Sequence, residues 1–308
     1  MTGGRHEKRT GALRGDAVER QVMSRFGATG LPAIAVAAVL LAAGCGGGAK
    51  EPVHVSLHEA ARAGDVEDVM RHLELGEAAN GINLDGMTPL MVAADSGHVD
   101  VAQVLLEKGA WVNIRGNLGY TALFYAADRG QLEMVRFLLD MGAEINPEGM
   151  AGYTPLLFAV EKGHLDVVKL LVARGADLSD RGAVNYPPLF FAAENNHVDV
   201  VAYLLDQGAE VDPVGDDSYT PLIMAAEKGY LDVVRLLVAR GADLAASTAD
   251  GRTALRAAEQ RNREDVAAFL KTQGAPERGL KGAVRIRNTN APVDPPAPSG
   301  ANEEGILL

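Results

Sequence analysis

Apolar and polar positions along residues 54–275 repeat in phase, at a period longer than any single helix or strand. A leucine recurs at Leu57, Leu90, Leu123, Leu156, Leu189, Leu222 and Leu255, always 33 residues apart. A glycine follows nineteen residues behind each of them, at Gly76, Gly109, Gly142, Gly175, Gly208, Gly241 and Gly274. In each copy a short apolar run, such as residues 89–94, is followed by a longer one, such as 99–106, whose apolar positions share one helical face. One such unit cannot bury its own apolar face, so neighbouring units must stack and share a core.

The punctuation supports two helices per copy. Thr88-Pro89 is a helix start, because threonine accepts a hydrogen bond from a free backbone N–H and proline fits the first helical position; Pro155 and Pro221 repeat the device. Gly97 ends the first helix, and Asp100, Asp166, Asp199 and Asp232 put negative charge in the first turn of the second. Gly109-Ala110 ends that second helix. Ala93-Ala94 are small where one helix must lie close to the next.

Residues 86–110 and 152–176 are the fullest copies, and they resemble the ankyrin repeat, with its T-P-L-H-x-A-A signature at a period of 33. The resemblance implies an all-α solenoid of seven helix-turn-helix units over residues 54–275, joined by β-hairpin connections. Only His58 keeps the signature histidine. Met91, Phe124, Leu157, Phe190, Ile223 and Arg256 stand in its place, which predicts apolar packing there. The end copies are expected to be polar outside and the array complete: Asp68, Arg71 and His72 replace Val101, Val104 and Leu105, and Arg256, Glu259, Arg263 and Glu264 mark the last copy. Copy five is irregular, with Pro187 for threonine, Asn185 and Asn196 for glycine, and the bulky pair Phe190-Phe191. It reads either as a soft spot or as the centre of a binding face.

The ends of the chain read differently. Residues 31–43 are an unbroken small-apolar run with six basic residues upstream, too short to span a bilayer as a helix but matching the apolar region of an export signal. Leu41-Ala42-Ala43-Gly44-Cys45 resembles the lipobox of bacterial lipoproteins. That resemblance implies cleavage before Cys45, lipidation of its thiol and, since Gly46 rather than aspartate follows, an outer-membrane anchor facing the periplasm. Residues 1–44 are thus expected to be a signal segment, with a compact version starting at Met23. Residues 45–53 are expected to be a flexible linker, and the proline-rich residues 276–308 a disordered tail.

Composition narrows the function. With 5% aromatics and one tryptophan, Trp111, the core must be alanine, leucine and valine. The net charge of −12 argues against a nucleic-acid partner. Residues 1–44 hold six basic and three acidic residues, so without them 23 basic and 38 acidic remain, a net −15 that favours a basic protein partner. The single cysteine excludes an internal disulfide and a cysteine-based zinc site. His98, His164 and His197 share a repeat position that also takes Gln131 and Tyr230, which reads as a structural turn rather than a ligand set. No nucleophile–base grouping, phosphate-cradling loop or metal motif is present. No catalytic residue, cofactor or metal is expected.

Candidate binding residues are those that face solvent in register. In ankyrin proteins a partner usually lies against the hairpin tips and first helices, on the concave side. The position two before the first-helix proline reads Met87, Tyr120, Tyr153, Tyr186, Tyr219 and Arg252. Tyrosine offers a large rigid contact with a polar tip; it serves equally well to pack neighbouring connections together. Beside this row runs a mixed rim, Asp95-Ser96, Asp128-Arg129, Glu161-Lys162, Glu194-Asn195 and Glu227-Lys228, which also reads as a plain solvated face. The expected function is noncatalytic protein binding by a lipid-anchored monomer in the bacterial cell envelope. The alternatives are an enzyme regulator of the inhibitor or immunity type, and a cytoplasmic or injected effector if the signal goes unused.

Overall fold

A computed structural model describes residues 52–182, 185–215 and 218–277. The expectations for residues 31–43, Met23, Cys45 and residues 278–308 lie outside the described residues.

Fourteen α-helices follow one another in seven pairs among the described residues. They are α1 (Leu57–Ala63), α2 (Val66–Glu74), α3 (Pro89–Ser96), α4 (Val99–Glu107), α5 (Ala122–Asp128), α6 (Leu132–Asp140), α7 (Pro155–Glu161), α8 (Leu165–Ala173), α9 (Pro188–Glu194), α10 (Val198–Asp206), α11 (Pro221–Lys228), α12 (Leu231–Ala239), α13 (Ala254–Gln260) and α14 (Glu264–Thr272). The first helices start where the threonines predict. The hydroxyls of Thr88, Thr154, Thr220 and Thr253 accept from the N–H three residues on, at 3.3–3.4 Å. Helix α5 has alanine in place of proline at its first position, and its Thr121 makes no cap bond. Helix α9 starts behind Pro187, which has no hydroxyl to offer.

Successive first helices pack directly on one another, α1 on α3 and so on to α13, and each also packs on its own second helix. Alanine pairs make this approach possible: Ala93-Ala94, Ala126-Ala127, Ala192-Ala193, Ala225-Ala226 and Ala257-Ala258 are wholly buried. The second helices contribute Val101, Leu105, Val168, Leu171, Val234 and Leu237 to one continuous core. The signature-histidine positions Met91, Phe124, Leu157, Phe190 and Ile223 are buried and apolar, as the sequence implies. His58 keeps its polar role, donating through Nε2 toward the carbonyls of Gly81 and Met87 at 3.1 and 3.0 Å.

The connections correct the hairpin expectation. No strand ladder forms among the described residues; one isolated antiparallel bridge joins Ser247 and Thr253. The connections close with a few turn bonds of the backbone, as from Gly116 N–H to Tyr120 C=O and from Gly149 N–H to Tyr153 C=O, both 2.9 Å. Some of the other backbone groups are satisfied sideways by side chains of the preceding copy. Asn80 donates to the Gly109 carbonyl and accepts from Trp111 N–H, and Asn113 does the same with Gly142 and Glu144, all at 2.9–3.1 Å. Side chains that clamp one connection to the next thus replace a ladder.

The first copy also departs from expectation. Asp68 and His72 are buried, not solvated. Val53 N–H and His54 N–H both donate to the Asp68 carboxylate at 2.8 Å, and the His54 ring and Arg71 add 2.9 and 3.2 Å contacts. The His72 ring lies between Glu77 Oε1 at 2.6 Å and the His54 carbonyl at 3.0 Å. Residues 53 and 54, the first of them assigned to the linker by sequence, therefore fold over the outer face and seal it. At the other end, Arg256, Arg263 and Glu264 are exposed, as expected.

Candidate functional site

The tyrosine row stands two residues ahead of the first helices, so each tyrosine lies at the end of a connection and near the start of its own helix. A first helix of about two turns then carries the chain to the acids at its far end: Asp95, Asp128, Glu161, Glu194 and Glu227 all lie at or near the last residue of a first helix. The repeat brings both rows to one side of the array.

The four tyrosines are half-buried. Tyr120 lies 4.8 Å from Phe124 and 5.4 Å from Phe158, ring centre to ring centre. Tyr153 lies 5.3 Å from Phe158 and 6.0 Å from Phe191, and Tyr186 stacks on Phe190 at 3.9 Å. Phe190 meets Phe191 edge-on at 6.1 Å. The rings of copies three to five thus form one connected aromatic chain. Tyr120 also covers Gly149, and Tyr186 covers Gly215; a Cβ at either glycine would fall 2.2 Å from a ring carbon. At these two positions packing against the next connection is part of what tyrosine does.

Met87 and Arg252 end the row differently. Met87 packs against the core. Arg252 lies over the Tyr219 ring at 5.3 Å and pairs with Glu227 at 3.0 Å. Tyr219 completes the triangle, donating its hydroxyl to Glu227 at 3.3 Å and accepting from Arg252.

The rim is largely an ion-pair ladder between copies. Arg129 pairs with Asp95 at 2.7 Å, Lys228 with Glu194 at 3.9 Å and Arg261 with Glu227 at 2.6 Å. Lys162 sits 3.8 Å from Glu161 within its own copy and also lowers the pKa of Asp128, whose carboxyl burial pushes up. Burial likewise raises Glu194, with Lys228 opposing it. Burial is the leading cause of the raised phenols of Tyr120, Tyr219 and Tyr125, the last pushed up to about 12. Asn195 is exposed and donates its side-chain amide to the Phe191 carbonyl.

Sequence reasoning passed over the aromatic partners of the tyrosines. Tyr125, Phe158 and Phe191 lie 33 residues apart, so the arithmetic that found the tyrosines could have found them too. The shared histidine position is structural, but its bond was not foreseen. His98, His164 and His197 donate through Nε2 to the carbonyls of Arg62, Asp128 and Glu161 in the preceding copy, at 2.8–3.1 Å. Arg263 reaches Glu227 in the same way. Among the described residues no group of three or more histidine, cysteine, aspartate or glutamate side chains could hold a metal ion, and no helix is long and apolar enough to cross a membrane.

A family of helical repeats matches this geometry. The ankyrin-repeat family model matches three times, over residues 57–149, 148–215 and 189–277. The chain belongs to the ankyrin-repeat family. Among solved structures it is similar to the human ASB11 ankyrin repeat domain, at 32% identity and a TM-score of 0.65, covering 71% of this chain and 98% of that one. No curated protein matches the chain. Ankyrin repeats are generally interaction modules rather than catalysts, and they imply a protein partner.

Proposed function

We propose that the protein is a noncatalytic binding scaffold, held at the bacterial cell envelope by lipid on Cys45 and gripping a protein partner with the face that carries the tyrosines and acids. The observation that supports this reading best is the continuous aromatic chain from Tyr120 to Tyr186, flanked by acids along three copies in the middle of the array. A large rigid aromatic surface beside partly buried acids suits a partner carrying cations. The lipobox-like residues 41–45 support the anchor, and two or more acyl chains would hold the array stably, at about 0.8 kcal/mol per buried CH₂. A monomer serves this role.

Palmitate labelling with fractionation tests the anchor. Wild type should carry label and sediment with outer membranes. Cys45→Ser should lose the label, and protein should appear in the soluble fraction. Unlabelled wild type in the cytosol would overturn the envelope assignment and favour an effector. Cross-linking in intact cells, followed by purification from membranes, should recover the same protein partner from wild type in repeated preparations.

A further inference from the structure

Exposed apolar side chains are not spread evenly along the array. Of the nine large hydrophobic residues exposed among the described residues, six lie between Val53 and Leu84, Trp111 follows one connection later, and none lies beyond Met150. Leu84 is 89% exposed and Trp111 71%. A single exposed leucine is ordinary, but a group gathered at one end of a molecule, with a tryptophan in it, marks a contact surface. The period shows what these positions otherwise hold. Where Trp111 stands, later copies carry Glu144, Asp177, Glu210 and Asp243. Where Leu75 stands, copies two, four and six carry Lys108, Arg174 and Arg240.

The backbone beneath these side chains is pinned. Val53 N–H and His54 N–H both donate to Asp68 at 2.8 Å, which holds Val53 and Val55 on either side of His54. Asn83 Oδ1 accepts from Asp85 N–H and Met87 N–H at 3.0 and 2.9 Å, fixing the turn between Ile82 and Leu84. Asn80, two residues before Ile82, accepts from Trp111 N–H at 2.9 Å and ties the tryptophan to that turn. Little freedom is therefore lost when something outside covers them.

Two features of the chain choose what that is. Eight residues separate Cys45 from Val53, so an acylated Cys45 keeps this end of the array within roughly 29 Å of a bilayer. The net charge of −15 that remains without residues 1–44 sets a second copy of the chain against the first. Tryptophan and aliphatic side chains settle at the boundary between lipid head groups and acyl chains.

We infer that Val53, Val55, Leu75, Ile82, Leu84 and Trp111 dock the first end of the array on the lipid surface that the acyl chains of Cys45 enter. This rests on the lipid anchor proposed above. The exposed acids Glu74 and Asp85 stand beside Leu75 and Leu84, so the surface they meet is zwitterionic rather than anionic. The contact uses no residue of the tyrosine row, so docking and partner binding are compatible.

Trp111 is the chain's one tryptophan, and its fluorescence reports the contact directly. The protein expressed from the full chain is purified from membranes in detergent and returned to phosphatidylcholine vesicles, with or without bromine on the lipid acyl chains. Trp111 emission should shift to shorter wavelength on the vesicles and be quenched by the brominated lipid. Ile82→Glu combined with Leu84→Glu should keep the acyl label, the sedimentation with vesicles and a cooperative thermal transition, yet lose both the shift and the quenching. Absence of quenching in wild type, with or without label, would overturn the contact; a labelled chain that still sediments with the vesicles leaves the anchor standing. Quenching of an unlabelled wild type, relieved in the double variant, would keep the contact and refute the anchor. Equal quenching in wild type and double variant would overturn the contact. A wavelength shift that follows protein concentration without lipid would assign the surface to a second copy and overturn it as well.

Discussion

Replacing Gly163 with alanine is expected to cost roughly 3 kcal/mol of stability, and the same change at Gly175 only about 1–2 kcal/mol. Both glycines have left-handed backbone, with φ of +75° and +94°. The surroundings differ. A Cβ at Gly175 meets nothing within 4 Å, whereas one at Gly163 would fall 2.5 Å from two atoms of the His197 ring. That ring cannot move aside freely, because its Nε2 donates to the Glu161 carbonyl at 2.9 Å across the copy boundary. Urea unfolding of the two single variants measures the difference. Adding His197→Ala to Gly163→Ala should remove the excess, leaving the cost of backbone conformation. Equal costs at the two glycines would show that the histidine contact contributes nothing to stacking.

Asp68→Ala should open the first copy selectively. The carboxylate is buried and accepts from Val53, His54 and Arg71, so removing it strands all three. Losing one side of a buried ion pair costs about 3–5 kcal/mol. In a chain of nearest-neighbour units that cost falls on the end unit rather than the whole. Amide exchange in α1 and α2 should therefore quicken on the order of a hundredfold, while α7 and α8 stay protected. Acid should mimic the substitution. Burial pushes the Asp68 carboxyl up, but the His54 and Val53 N–H groups, the His54 ring and Arg71 outweigh it and hold it at about 2, below the ordinary 3.8. A carboxyl held low contributes fully above about pH 4 and loses its contribution as pH falls toward 2, worth roughly 2–3 kcal/mol. Wild type should thus show the quickened exchange of α1 and α2 only below about pH 3. Uniform loss of protection along the chain would contradict this assignment.

Features tied to one residue type were legible in the sequence. The recurring leucines are buried, and the glycines nineteen residues behind them all have φ above +70°. Asn185 and Asn196 adopt the left-handed conformation of the glycines they replace, with φ of +55° and +62°. Ser218 and Asn262 do the same at equivalent positions, and only the period predicts them. Features whose partner is a backbone carbonyl were not legible. The acceptors of His98, His164 and His197 are carbonyls, which leave no mark on residue identity. The same holds for Asn80 and Asn113, so the clamps that replace a hairpin ladder stayed hidden. Asp68 and His72 misled for another reason. Polar residues on an end copy suggest a wet face, and only the path of residues 53 and 54 shows them sealed. The tyrosine row was visible, but its aromatic supports emerge once copies are compared position by position.

The most direct test of the binding face is cross-linking capture from membranes with wild type and with Tyr153→Ala combined with Tyr186→Ala, each checked for a cooperative thermal transition. Loss of the partner from a folded double variant is the predicted result. Undiminished capture by that variant would contradict it and assign the aromatic chain to stacking alone.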